Sequence, residues 1–401
     1  MKKSLIALAA LAATTAFAQS SVTISGAMDL GLMNQKFGNG SSVQNVSTGT
    51  NGASRLRFVG VEDLGSGTKA TFWLEMQPSF QNGTISGAGL FNRGAWAGLS
   101  DSKLGEIRLG RMGTNNVSAV CDIDQQGCYT GAYGGGILFS GQGAPGTNGA
   151  ALFAANPTRG GVAQAVNGTA PFSTATVASG AAFTNVQASS TGDVAQAGTG
   201  WSADSTRYVR AVRYSLPALV PGLSLNATMA YGQNIAAGGH TGNTTGFDGN
   251  YVNGPLKLTA AYQKADADVA GGANGELTTY GAIYNLGFAS IGAGIQNEKA
   301  SGGTGLTFTK ADAFAVTALF PMGATTPYIK YGERKYSGGT WGDKTTAKVT
   351  NVGVRYAFSK TTYVYADYMQ NGAAMLNTTA GGNSGAASIK EQTNIGLTVN
   401  F

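Results

Sequence analysis

The chain has 401 residues, of which only 11% are charged, against roughly 25% in average soluble domains. It carries 62 Gly, 9 Pro and a formal net charge of +6, but no Lys/Arg run or basic helix, which argues against a nucleic-acid partner. After Ala18 no stretch holds 18 consecutive apolar residues, so there is no transmembrane helix.

The first element is an export signal. Lys2 and Lys3 precede the apolar run Leu5 to Leu11, and Ala16-Phe17-Ala18 has the small-x-small form of a cleavage site. Residues 1–18 are therefore expected to be removed, which takes the charge from +6 to +4 and leaves 19–401 as one domain. No Cys follows the cleavage site, so a lipoprotein anchor is not expected. An exported chain, poor in charge and without apolar helices, suits a transmembrane barrel, whose hydrophobicity is spread over alternate residues. A secreted Gly-rich solenoid or adhesin is the other reading.

Alternating segments follow in order. The first five are Val22 to Met33, Ser54 to Glu62, Lys69 to Met76, Arg93 to Leu99 and Glu106 to Arg111. After a long irregular stretch come Thr206 to Tyr214, Leu223 to Tyr231, Phe247 to Asn253, Leu256 to Lys264, Leu277 to Asn285 and Ala289 to Gln296. Ala311 to Leu319, Thr326 to Arg334, Lys348 to Phe358, Thr361 to Met369 and Ser388 to Phe401 complete the set. These make about sixteen segments of the length a tilted transmembrane strand requires. The connections alternate in size. Asp63 to Gly67, Asp101 to Gly105, Asn253-Gly254-Pro255 and Ser359-Lys360 are short, whereas Asn34 to Ala53, Ser79 to Asn92 and Gly372 to Ala387 are long. Tight turns on one side and long loops on the other are the asymmetry of an outer-membrane barrel. Aromatics near strand ends (Tyr208, Tyr214, Tyr328, Tyr331, Tyr356, Phe358, Tyr363, Tyr365 and Tyr368) are expected to form interfacial girdles, with β propensity as the plainer explanation.

Met112 to Asp204 is the longest segment without strand pattern, and a structureless stretch of that size needs a job. It contains both cysteines, Cys121 and Cys128. In an exported chain such a pair is most simply a disulfide; the competing reading is metal binding, for which the one His, His240, leaves too few soft ligands. A triad or Cys-His catalyst would also have to use His240, and nothing near it suggests a nucleophile. Gly134-Gly135-Gly136 lacks the Lys and Ser/Thr of a phosphate loop. No enzyme activity, metal or cofactor is expected.

The charges of interest lie at strand ends. Arg55 and Arg57 share a parity opposite to Leu56 and Phe58, so a lumen-facing position is natural, since charge facing lipid is expensive. Arg93, Arg108, Arg111 and Arg207 fall near the same level. Arg93 shares parity with Ala95, Ala97 and Leu99, so its strand must end early or bulge to turn it inward. The alternative for each is a headgroup or lipopolysaccharide phosphate. Together they would form a basic ladder favouring anions, with Glu75, Glu106, Asp122 and Asp124 as opposing charge.

Several fragments resemble Gram-negative general-diffusion porins of the betaproteobacterial type. Ser54-Arg55-Leu56-Arg57-Phe58-Val59-Gly60-Val61-Glu62-Asp63-Leu64-Gly65, continuing with Gly67-Thr68-Lys69-Ala70-Thr71-Phe72-Trp73-Leu74-Glu75, resembles their second hairpin. Gly105-Glu106-Ile107-Arg108-Leu109-Gly110-Arg111 resembles the lead-in to their third loop, and Arg213-Tyr214-Ser215-Leu216-Pro217 the strand and turn after it. Ser21 to Gly26 and the terminal Phe401 match their ends. The resemblance implies an all-β, sixteen-stranded antiparallel transmembrane barrel in the outer membrane, reached through the periplasm. Its long third loop (112–204) would fold into or over the lumen. It also implies a homotrimer in contact with outer-membrane lipid and lipopolysaccharide, passing small hydrophilic solutes by diffusion. Phe401, with Val399, Leu397 and Ile395 on one face of the last strand, would be the signal read by the outer-membrane insertion machinery. Arg55 and Arg93 fall where the family places constriction arginines. The unusual length of the third loop leaves a substrate-selective channel as an alternative, with a non-porous adhesin barrel as another.

Overall fold

A computed structural model describes residues 20–37, 42–85, 89–125, 207–232, 243–266, 274–301, 309–338, 345–371 and 389–401. The expected leader, Cys128, His240 and all but the start of the long segment lie outside these residues. The first strands are β1 (Ser21–Phe37), β2 (Ser42–Thr48), β3 (Arg55–Gly65) and β4 (Thr68–Met76). A two-residue hairpin, β5 (Pro78–Ser79) and β6 (Thr84–Ile85), leads to β7 (Gly94–Asp101) and β8 (Gly105–Gly113), then to helix α1 (Asn115–Asp124). The wall continues with β9 (Arg207–Ser215), β10 (Leu223–Ala230), β11 (Thr244–Asn253), β12 (Leu256–Ala265), β13 (Asn274–Asn285) and β14 (Ser290–Ser301). It ends with β15 (Lys310–Leu319), β16 (Thr325–Ser337), β17 (Thr345–Ala357), β18 (Thr362–Asn371) and β19 (Ile389–Asn400).

Neighbouring strands pair antiparallel all the way round, and β1 pairs with β19, so the sheet closes into a barrel of sixteen strand positions. Closure removes the exposed edges that an open sheet would leave unpaired. At the seam Leu32 faces Ile395, Leu30 faces Leu397 and Met28 faces Val399. The pairing ends with Gly26 N donating to Phe401 O at 2.8 Å and Phe401 N donating to Gly26 O at 3.1 Å. The second wall position is shared. β2 pairs with Leu30 to Lys36 of β1, and β3 pairs with Ser21 to Ala27 of the same strand. Between them Gly49 to Ser54 turns inward, with Thr50, Asn51 and Ser54 buried. Sequence pattern placed this whole stretch in a loop, because β2 (SVQNVST) carries only Val43 and Val46 as apolar residues.

The two faces of the wall differ as alternation requires. Ile24, Leu99, Leu109, Phe247, Tyr280, Ile295, Val316, Ile329, Val352 and Leu397 are exposed on the outside, which is the apolar belt of a bilayer-spanning barrel. Their neighbours Asp248, Thr279, Gln296, Thr317, Lys330, Asn351 and Thr398 are buried on the inside. Aromatics divide between the faces. Tyr214, Tyr356, Phe358 and Tyr368 are exposed, but Tyr208, Tyr328 and Tyr365 are buried and bond inward to Asn115, Asn51 and Asp29. Those three are thus not girdle residues: each hydroxyl has a polar partner indoors, which outweighs an interfacial position.

Candidate pore lining

Each β-hairpin brings its inward residues into one layer, so charges far apart in sequence meet across adjacent strands. Arg57 on β3 faces Glu75 on β4, with Nε 3.1 Å from Oε2. Glu75 Oε1 also takes Arg93 Nε at 2.5 Å, and Arg93 Nη1 donates to Gln77 at 3.0 Å. β7 starts at Gly94, so Arg93 precedes the strand and escapes the parity of Ala95 and Ala97. Arg207 Nε in turn donates to the carbonyl of Arg93 at 2.5 Å. Both Arg93 and Arg207 are buried and serve this network rather than an open surface. Arg111 Nε binds the carbonyl of Asn92 at 2.7 Å. Arg108 and Glu106, on β8, pair at 2.6 Å. Arg55 differs: it is half-buried and makes no side-chain hydrogen bond or ion pair among the described residues.

Two tryptophans lie between these arginines. Trp73 and Trp96 are directly opposite on β4 and β7, with ring planes 9° apart and centroids separated by 6.0 Å. The Arg57 guanidinium lies 4.3 Å over Trp73 and that of Arg108 lies 4.4 Å over Trp96. Arg57 was legible from its parity and Arg108 from its place on the strand just before the long segment; the indoles were not, because a Trp in a strand is ordinarily read as packing.

On the other side α1 packs against the inward faces of β11 to β15. Thr114 caps it, accepting from Val117 N at 3.3 Å, and Gln125 closes it in the left-handed conformation at φ 59°. A Cβ at Gly281 or Gly294 would lie 2.3 or 2.4 Å from the Ile123 side chain, so this facing pair of glycines makes the seat in which the helix rests. Polar side chains complete the docking. Asn115 Nδ2 donates to Asp248 at 2.5 Å, while Asn116 Oδ1 accepts from Thr279 at 2.6 Å and Gln296 at 3.1 Å. Asp122 pairs with Lys257 and Asp124 with Lys330, each at 2.5 Å. All four carboxylates put forward as opposing charge, Glu75, Glu106, Asp122 and Asp124, therefore have a cation beside them. Cys121, on this helix, is disulfide-bonded.

Pattern reading missed the charges of the later strands, namely Lys257, Lys330, Arg334, Arg355, Asp248, Glu298 and Asp367. Arg334 pairs with Glu298, both fully buried, and Arg355 donates to Asn51 Oδ1 through Nε at 3.0 Å and Nη2 at 2.7 Å. Their inward parity within apolar strands was the available signal.

A closed antiparallel wall with an apolar outer belt and a charged, hydrogen-bonded lining defines a transmembrane β-barrel. The chain belongs to the Gram-negative porin family, whose model matches residues 4–374, and it is a protein of the outer membrane. It is similar to outer membrane porin protein 32 of Delftia acidovorans, 47% identical over 113 residues, which cover 28% of this chain and 32% of that protein. The chain thus aligns with about a third of that relative's length. Among solved structures it resembles an anion-selective porin from Comamonas acidovorans, with a TM-score of 0.69 at 22% identity over 96% of this chain and 100% of the other. A trimer form of OmpT from Vibrio cholerae gives a TM-score of 0.60 at 14% identity over 95% and 99%. At these identities the structural likeness speaks for the fold.

Proposed function

We propose that the barrel is a water-filled channel for passive diffusion of small hydrophilic solutes and ions, with a weak preference for anions. The observation that carries the preference is the contrast in the lining. Arg55 stands without a counter-ion among the described residues, and Arg57 and Arg108 keep 27% and 31% of their side chains exposed. The acids beside them are less exposed, Glu75 at 8% and Glu106 at 19%. In a narrow pore such arginines lower the energy of a passing anion and raise that of a cation. No bond is made or broken; the solute moves down its own gradient, and the protein supplies only a hydrated path through an apolar layer. The anion-selective description of the Comamonas relative is consistent with this reading.

Homotrimer formation is part of the same proposal, supported by the exposed apolar face and by the trimer form of the OmpT relative. So are removal of residues 1–18, recognition of the terminal strand by the insertion machinery, contact with lipopolysaccharide, and Cys128 as the partner of Cys121. The segment that follows α1 would extend into or over the lumen. Purified protein in planar bilayers tests the core of the proposal. Open single channels with a reversal potential of anion-preferring sign in a KCl gradient are expected, together with liposome swelling graded by solute size. A silent bilayer would overturn the channel, and a clear cation preference would overturn the selectivity.

A further inference from the structure

We propose that Trp73 and Trp96 are positioning residues for ion selectivity, holding Arg57 and Arg108 as fixed guanidinium groups on the inner wall. This inference rests on the anion-preferring reading above. The arrangement spans four adjacent strands. Val59 faces Trp73, so Arg57 is diagonal to the first indole; Trp73 faces Trp96; Gly98 faces Arg108, so Arg108 is diagonal to the second. Diagonal neighbours on one face of a sheet are within reach of aromatic and long side chains. Each guanidinium lies over an indole at a distance at which the ring quadrupole attracts a cation.

The wall is shaped for this. A Cβ at Gly94 would fall 2.8 Å from Trp73 Cδ1 and 2.9 Å from its Nε1, whereas one at Gly110 would meet the Ala95 carbonyl at 2.3 Å. Glycine therefore stands where the first indole needs room against β7, and Gly110 lets β8 lie close on the strand that carries the second. Glu75 and Glu106 hold the same two arginines by ion pairs, so each guanidinium is fixed from two directions. A free arginine side chain samples many rotamers and folds onto its nearest carboxylate. An arginine held against a ring keeps its charge at one height in the pore, where it acts on every passing ion. Without the indoles each guanidinium keeps only its carboxylate and can swing about that single contact.

The test uses the full-length protein, with Trp73→Leu, Trp96→Leu, Trp96→Phe and the Arg57→Ala/Arg108→Ala double variant. Reversal potentials in a KCl gradient are expected to show the anion-to-cation permeability ratio falling about two-fold in each Leu variant, toward the double Arg variant, while Trp96→Phe retains most of it. Heat-modifiable migration of the folded barrel is the control. An unchanged ratio in folded Leu variants overturns the proposal. A second readout works without any selectivity. In a Trp201→Phe/Trp341→Phe background the iodide-to-caesium quenching ratio of the two remaining indoles is expected to exceed that of free N-acetyltryptophanamide roughly two-fold, with this excess removed by Arg57→Gln/Arg108→Gln. A ratio no higher than that of the free indole overturns the inference. Wild-type protein that prefers cations yet shows the iodide excess would instead defeat the selectivity reading and leave the indole–guanidinium clamp standing.

Discussion

Lys330 Nζ sits 2.5 Å from Asp124 Oδ1, with 1% of either side chain exposed. The pair joins the last residue of α1 to the far wall on β16, so it ties the helix to the lining from inside. A buried pair is costly to break because the remaining charge loses its close counter-ion, about 3–5 kcal/mol in comparable cases. Lys330→Met and Asp124→Leu should each lower resistance to unfolding in detergent by an amount of that order, and the double replacement should cost less than the sum of the two. Additive losses in the double-mutant cycle would mean that the two groups do not depend on one another.

Arg55 and Arg93 stand side by side in a sequence reading but diverge in the structure. Arg55 has no partner among the described residues, whereas Arg93 is buried against Glu75 and Gln77. Arg55→Ala is expected to move the reversal potential toward cations with stability changed by less than about 0.5 kcal/mol. Arg93→Ala removes the shorter of the two ion pairs to Glu75 and should destabilise the barrel by about 1–3 kcal/mol. Reversal potentials and urea unfolding measured on both variants check this; a stable Arg93→Ala protein would show that the network at Glu75 is dispensable.

Most of the wall was legible because alternation and turn chemistry are local. Leu56 against Arg57, or Ile395 against Asn394, declares which face is which within a few residues. The helix was not, because Asn115 to Asp124 (NNVSAVCDID) has weak intrinsic helix preference. It is held instead by Thr114, by the seat at Gly281 and Gly294 and by lysines more than a hundred residues away. β2 escaped notice for a related reason: pairing with β1 supplies what its side chains do not. Arg57 was found by parity and Arg108 by its place just before the long segment, but their tryptophan partners required knowing which strands are neighbours and in what register.

Phe401 closes the barrel in two ways. Its backbone pairs with Gly26, and its ring lies so close that a Cβ on Gly26 would come 2.6 Å from Cζ. Gly26→Val is expected to press on both that ring and the Arg55 carbonyl, 2.5 Å from the same Cβ, and, like deletion of Phe401, to reduce the yield of folded barrel in outer membranes more than it alters the conductance of channels that do form. The measurement is heat-modifiable protein per cell beside single-channel conductance. Normal yield from the deletion would show that the terminal ring is not used in assembly.

Asp29, wholly buried on β1, gathers the inward turn between β2 and β3 into the wall. Its carboxylate accepts from Thr398 Oγ1 at 2.5 Å, Tyr365 Oη at 3.1 Å, Asn51 N at 3.1 Å and Thr50 Oγ1 at 3.4 Å. Asn51 then donates to Tyr328 Oη at 3.2 Å and accepts from Arg355. Removing the carboxylate takes the acceptor from Thr398 Oγ1 and Asn51 N, each worth about 1–3 kcal/mol when left unpaired, while the Thr50 and Tyr365 hydroxyls keep one another. Asp29→Ala should therefore release the turn, lower stability by a few kcal/mol and, because Asn51 no longer anchors Arg355, change the conductance of the open channel. Asp29→Asn retains an acceptor oxygen and should be milder on both counts, since the Thr50, Tyr365 and Thr398 hydroxyls can rotate to meet its amide. Asn51→Ala separates the two effects: it keeps the donors to Asp29 from Thr398, Tyr365, Thr50 and its own backbone, yet loses the tie to Arg355. A conductance change in Asn51→Ala with a smaller loss of stability than in Asp29→Ala is the expected pattern, since the bonds to Asp29 stay and those to Tyr328 and Arg355 go. If Asp29→Ala instead matches wild type in both unfolding and conductance, the turn is held by its own backbone and the carboxylate has no structural role.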